Sequence, residues 1–184
     1  MNELHIHANE QILLDELKPR VDLWEGTPFE GYIHLSSKAK GRYGELFISS
    51  YLASLGFTLT ERTSVGNDEV VNGIPTEYKF SLSQAKTTKA QGHILVPNKF
   101  MINHVAVHKD WQRLIFVGIN PSDCASPFIW FSKEDFMQEL QLADCLFKRQ
   151  QGGEKGDNDD YILSGESRIT EFLDRPYVRT IDQW

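Results

Sequence analysis

The stretch Ser64-Val65-Gly66-Asn67-Asp68-Glu69-Val70-Val71-Asn72-Gly73-Ile74-Pro75-Thr76-Glu77-Tyr78-Lys79-Phe80-Ser81 reads as a β-hairpin. Asn72-Gly73 is the strongest short-range signal for a two-residue turn with positive φ at both positions. A turn there pairs Val71 with Ile74, and extending the register puts Asp68 opposite Glu77. Val71–Ile74 is then a hydrogen-bonded pair and Asp68–Glu77 a non-hydrogen-bonded one, with roughly 4.5–5.5 Å between Cβ atoms. Pro75 falls in the other non-bonded pair, where its missing N–H breaks no rung of this ladder. Lys79 shares the face of Glu77, because side chains alternate along a strand.

Two facing carboxylates repel unless something cationic lies between them. Mg²⁺ takes oxygen ligands and keeps several waters, so two carboxylates suffice to hold it. A lysine beside such an ion can orient or deprotonate a water and stabilise charge on a phosphate. The combination predicts a site for phosphodiester hydrolysis. A Glu-x-Lys triplet alone is an ordinary exposed strand; the aligned aspartate and the turn favour a site.

A helix is expected over Lys38 to Leu55, with Gly56 placed to end it. Glu45, Ile48, Leu52 and Leu55 follow helical spacing, which puts Glu45 on the stripe that should face the core. An acid there is unusual unless it is paired, near a metal or at the helix edge. The ordinary alternative is an acid in the first turn favoured by the helix dipole.

Lys40-Gly41-Arg42-Tyr43-Gly44-Glu45, then Gly56-Phe57, Gly66-Asn67-Asp68 and Glu77-Tyr78-Lys79-Phe80-Ser81 resemble the PD-(D/E)XK nuclease superfamily. The Gly-Asn-Asp run followed by Glu-Tyr is similar to small type II restriction endonucleases. The resemblance spans roughly residues 38 to 84, with Asn67 where the motif name has proline. It implies a helix bearing Glu45 packed on a mixed sheet. It also implies Asp68 and Glu77 as ligands of Mg²⁺ (Mn²⁺ as substitute), with the Tyr78 backbone carbonyl as a further ligand. Lys79 would be the catalytic lysine, and Glu45 would assist a second ion or orient Lys79. The activity implied is site-specific cleavage of double-stranded DNA by a homodimer. Archaeal Holliday-junction resolvases share the helix and hairpin, so a structure-specific nuclease is the alternative. A DNA-binding subunit active only with a partner is another.

The chain of 184 residues with 40% hydrophobic content suits one nuclease domain: residues 1–37 as helix and loop, 38–147 as catalytic core, and 148–184 as flexible loop and C-terminal segment. No apolar run approaches a membrane span, and the N-terminus lacks a basic-then-apolar leader. Cys124 and Cys145 match no metal spacing and are expected as reduced thiols, which suits a cytoplasmic protein of a prokaryotic cell or its phage.

Nineteen Lys and Arg against 26 Asp and Glu give a net charge of −7, which counts against non-specific nucleic-acid binding. The basic residues are nevertheless placed around the expected site. Lys38, Lys40 and Arg42 precede Glu45, while Ser81, Lys86 and Lys89 follow Lys79. These six are the expected DNA contacts.

Elsewhere, residues 9–18 predict a helix and Phe57 to Arg62 a strand, with shorter strands at Gly92–Pro97 and Phe128–Phe131. Leu114–Ile119 predicts a buried strand, and Ser132 the N-cap of a helix running through Phe136 and Leu140 towards Phe147. The expected architecture is α/β, a central mixed β-sheet flanked by helices as in restriction endonucleases. His104 and His108 have helical ligand spacing but no third partner, and Asp157–Asp160 lacks the glycine and glutamate of a calcium loop. The loop Gln150–Asn158 could enter a DNA groove through Gln150, Gln151, Lys155 and Asn158.

Overall fold

The computed structural model describes residues 21–62, 64–90, 92–122, 124–150 and 160–184. The helix expected at 9–18, the calcium-like run before Asp160 and the groove-entering loop beyond Gln150 lie outside the described residues. The chain divides into two compact units, Met1–Leu35 and Ser36–Trp184. In the described part of the first, the Asp22 carboxylate accepts hydrogen bonds from the backbone N–H groups of Trp24 and Gly31, at 2.9 and 2.7 Å.

The second unit holds helices α1 (Ser37–Ser54), α2 (Lys133–Glu139) and α3 (Glu166–Leu173). Its main sheet has the spatial order β1 (Leu59–Glu61), β2 (Glu69–Val71), β3 (Ile74–Leu82), β7 (Arg113–Ile119), β8 (Phe128–Ser132) and β11 (Arg179–Thr180). β4 (Ala85–Thr88) and β5 (Gly92–Leu95) form a separate hairpin. β6 (Met101–Ala106), β10 (Asp160–Ser164) and β9 (Lys148–Arg149) form a three-stranded sheet in that order. β3 and β7 run parallel, and the other pairings are antiparallel. The fold is α/β with a central mixed sheet flanked by helices, as the sequence leads one to expect.

The hairpin turn sits where Asn72-Gly73 places it, with φ of 48° and 82° and Val71 paired with Ile74. Asn-Gly is among the few pairs that take two such conformations in succession at low cost. The sheet then sorts side chains by parity. On one face Val71, Tyr78, Ile115 and Val117 pack with Ile48 and Leu52 of α1. On the other, Leu114, Phe116 and Phe131 pack with Ile102 of β6, Phe136 of α2 and Phe172 of α3. Glu77 pairs in register with Leu114, so it belongs to this second face.

α1 ends as expected: Gly56 at φ 85° donates to Ala53 O, and Phe57 donates to Leu52 O. These are the two bonds of a Schellman cap. Gly44 brings α1 onto β3, because a Cβ there would lie 2.5 Å from Phe80 Cβ. Leu55 does not join the core stripe; it is 49% exposed, since the helix has already ended at its position.

One other expectation needs correcting. Ser132 caps α2 with a reciprocal capping box to Asp135, but the helix stops at Glu139 and does not extend towards Phe147. The buried Glu139 carboxylate accepts the Leu146 N–H at 2.8 Å and turns the chain back. His104 lies in β6 with φ 52°, not on a helix, and its imidazole contacts Asp160. Among the described residues no group of three His, Cys, Asp or Glu side chains is placed to hold a metal, and no helix is long and apolar enough to cross a membrane. Cys124 and Cys145 are free thiols.

Candidate active site

β3 carries Glu77 and Lys79 on one face, two residues apart. Lys79 Nζ donates to Glu77 Oε1 at 2.8 Å. Glu77 is 3% exposed, so its charge has left water and must be compensated. A second lysine meets the same oxygen: Lys109 Nζ donates to Glu77 Oε1 at 3.1 Å. Glu77 Oε2 is buried and has no hydrogen-bond partner. A buried carboxylate oxygen is costly to leave without a donor or a cation.

Asp68 reaches this centre in a different way from that expected. The ladder between β2 and β3 ends at Glu69 paired with Thr76, so Asp68 and Glu77 are not a rung of it. Instead the Asp68 N–H donates to Thr76 O at 3.0 Å, and Asp68 Oδ2 accepts the Tyr78 N–H at 2.7 Å. The side chain thus replaces the backbone carbonyl that a longer β2 would have offered. The Tyr78 N–H points to the Asp68 side, and its carbonyl points the same way along a strand, past the last rung of β2. Burial and then the nearby Glu77 carboxylate push Asp68 up to about 6, against the lowering effects of the Tyr78 N–H and Lys79. Glu45 adds a smaller push in the same direction.

Glu45 therefore sits close enough to be felt by Asp68, yet it is at the rim and not in the core. Its carboxylate is 40% exposed and pairs with Arg42 at 3.1 Å. On the α1 face of the same strands lies a fourth acid. Glu69 Oε2 accepts from Ser49 at 2.6 Å and from the Tyr78 hydroxyl at 2.7 Å.

Lys109 was not expected from the sequence. It lies in the turn between β6 and β7, and two contacts fix that turn. Lys133 Nζ donates to the Lys109 carbonyl. Asp110 accepts from the Ser64 hydroxyl at 2.7 Å. Gly66 lets the Ser64–Asn67 loop lie on Asp110, because a Cβ at Gly66 would fall 2.0 Å from Asp110 Oδ1. One clasp thus positions the approach to Asp68 and the turn bearing Lys109.

Of the expected DNA contacts, Lys38, Arg42, Lys86 and Lys89 are exposed and Lys40 is half-buried. Ser81 is not at the surface. It is 8% exposed, and its hydroxyl accepts the Met101 N–H at 3.2 Å, joining β3 to β6. Gln150 is also used internally, with its Oε1 accepting the His104 N–H.

The donor set suits a hard divalent cation. Two carboxylates converge under mutual repulsion, one buried oxygen lacks a partner, and a strand carbonyl points the same way. No family model, curated protein or solved structure matches the chain.

Proposed function

We propose that this protein is a Mg²⁺-dependent endonuclease that hydrolyses phosphodiester bonds of double-stranded DNA at specific sites, resembling PD-(D/E)XK enzymes and acting as a homodimer in the cytoplasm. The observation that carries the reading is Glu77: a buried carboxylate with two lysines on one oxygen, nothing on the other, and Asp68 beside it. A purely structural ion pair would be expected to satisfy both oxygens.

Asp68 and Glu77 would hold the ion, with the Tyr78 carbonyl as a third oxygen ligand. A bound divalent ion supplies positive charge to the phosphate oxygens and acidifies a water. Lys79, its ammonium held by Glu77, would orient the attacking water. Lys109 is the more exposed of the two lysines, with 31% of its side chain open against 14%, and would meet the phosphate from outside. Glu45 at the rim would bias Lys79 or a second ion through its charge.

The test is incubation of a long, sequence-diverse duplex with the full chain and Mg²⁺, with EDTA and Lys79→Ala as controls. Discrete bands that need Mg²⁺ and Lys79 are expected. A smear would remove sequence specificity, and no cutting by folded protein would overturn the reading for linear duplex. Four-way junctions and added partner proteins would then be the next trials.

A further inference from the structure

We propose that the β4–β5 hairpin is a groove-reading ribbon, entering the major groove of the same DNA duplex that the Glu77–Lys79–Lys109 centre would cleave. The inference rests on the nuclease reading for its choice of partner, and on separate observations for its surface.

The first observation is charge. The chain carries 26 acids and a net charge of −7, yet no Asp or Glu occurs between Glu77 and Asp110. That interval holds Lys79, Lys86, Lys89, Lys99 and Lys109. Two of them, Lys86 and Lys89, lie in the acid-free hairpin, which is thus a cationic projection from an acidic molecule and suits a polyanion.

The second is shape. Among the described residues, β4 and β5 pair only with each other. Ala85, Lys86, Thr87, Lys89, Ala90, Gly92 and His93 are exposed, so much of the ribbon lies open on both faces. A two-stranded ribbon about 4.8 Å between strands fits a major groove roughly 12 Å wide. An unsupported hairpin is marginal in water, and open strand edges invite aggregation unless charged or covered.

The third is a rigid base. Asn120 Oδ1 accepts from the Ser83 hydroxyl and from the Asn98 N–H, both at 2.8 Å, and both Ser83 and Asn120 are buried. Gln84 exchanges backbone hydrogen bonds with the stretch after β5, donating to Lys99 O and accepting from Val96 N–H. Lys99 Nζ also donates to the Ala85 carbonyl. The ribbon therefore leaves the end of β3 at a fixed angle.

The fourth is reach. Lys86 lies seven residues beyond Lys79. That separation is at most about 23 Å of extended chain at ~3.3 Å per residue, less than one helical turn of duplex at about 34 Å. One short DNA segment can touch both.

Roles follow from the register. Thr87 pairs with His93, and their side chains meet at 3.0 Å through Thr87 Oγ1 and His93 Nδ1. This pair offers a hydroxyl and a ring nitrogen to base edges. Lys86 and Lys89 offer ammonium groups to phosphates.

The test is fluorescence anisotropy with a labelled mixed-sequence duplex about 30 base pairs long, some three helical turns. The full chain is titrated in EDTA across about 50–200 mM salt, which removes cleavage from the readout. Lys86→Ala with Lys89→Ala is expected to weaken binding about 10- to 100-fold and to flatten the log–log salt slope by about 1.8. Circular dichroism checks that the double variant is folded. His93→Ala is expected to keep the salt slope and to blur the band pattern in the Mg²⁺ cleavage assay. An unchanged slope in the lysine variant overturns the ribbon, as does no binding of duplex by the wild type or tighter binding of single-stranded DNA or RNA. Cleavage that survives beside an unchanged slope overturns the ribbon alone. Hairpin-dependent binding without any cleavage overturns the nuclease reading alone.

Discussion

Lys109 donates to Glu77 Oε1 from 32 positions further along the chain, at 3.1 Å, sharing that oxygen with Lys79. The two lysines approach one buried acid from different elements, β3 and the β6–β7 turn. Glu77 thus keeps a cationic partner if either lysine is lost, which separates the contributions of the two to folding and to chemistry.

Lys79→Ala and Lys109→Ala are each expected to cost about 1 kcal/mol of stability, since the other ammonium remains. The double variant leaves a buried carboxylate unpaired and is expected to cost about 3–5 kcal/mol, more than the sum. Urea denaturation of the four proteins measures the coupling. Strict additivity would show that the lysines do not share Glu77. In the cleavage assay, Lys79→Ala should abolish activity, while Lys109→Ala should reduce it about 10-fold, the smaller loss reflecting a contact from the periphery.

The raised Asp68 carboxyl makes metal-free stability depend on pH. The folded chain retains a proton up to about 6 that the unfolded chain releases near 3.8. Stability therefore falls as pH rises between those values and levels off above them, by up to about 3 kcal/mol. Asp68→Asn keeps an oxygen for the Tyr78 N–H and removes the repulsion with Glu77. It is expected to flatten the profile and to exceed the wild type above about pH 6. Mg²⁺ should restore the wild type at pH 8 and leave Asp68→Asn unmoved. Melting curves from pH 4 to 8, with and without Mg²⁺, check both; parallel profiles for the two proteins would rule out the raised carboxyl.

Gly41 and Gly44 sit one turn apart on α1 and should respond oppositely to alanine. A Cβ at Gly41 meets nothing within 4 Å, whereas one at Gly44 meets Phe80 at 2.5 Å. Gly41→Ala is expected to stabilise by about 0.5–1 kcal/mol through helix propensity. Gly44→Ala is expected to destabilise by about 1–3 kcal/mol by lifting the helix off β3. Thermal melts compare them directly, and equal effects would deny the close approach.

What was legible in the sequence was local chemistry. Asn72-Gly73 set the hairpin register, Gly56 ended α1, and Ser132 started α2, because each signal acts over a few residues. β6 escaped because His104, at φ 52°, interrupts its alternation. α3 escaped because its N-cap is Gly165, at φ 96° and without a side-chain cap bond, so no start signal marks it. In the candidate site, Glu77 and Lys79 are neighbours on one strand and were readable. The bend at Asp68 was not, since the ladder stops one rung early. Lys109 could not be read at all, because it depends on the parallel docking of β7 against β3.

That parallel docking also orders events in time. β2 and β3 can close as a hairpin from adjacent sequence, which sets Asp68, Glu77 and Lys79 near one another early. β7 must loop back across some thirty residues, and non-local parallel pairings form slowly because chain entropy is lost before contacts compensate. Until that seam zips, Glu77 lacks its in-register neighbour Leu114 and the Lys109 carried by the turn before β7. A nascent chain therefore carries these acids in open water, fully hydrated. The buried surroundings of Glu77 are complete only when β7 is docked against β3.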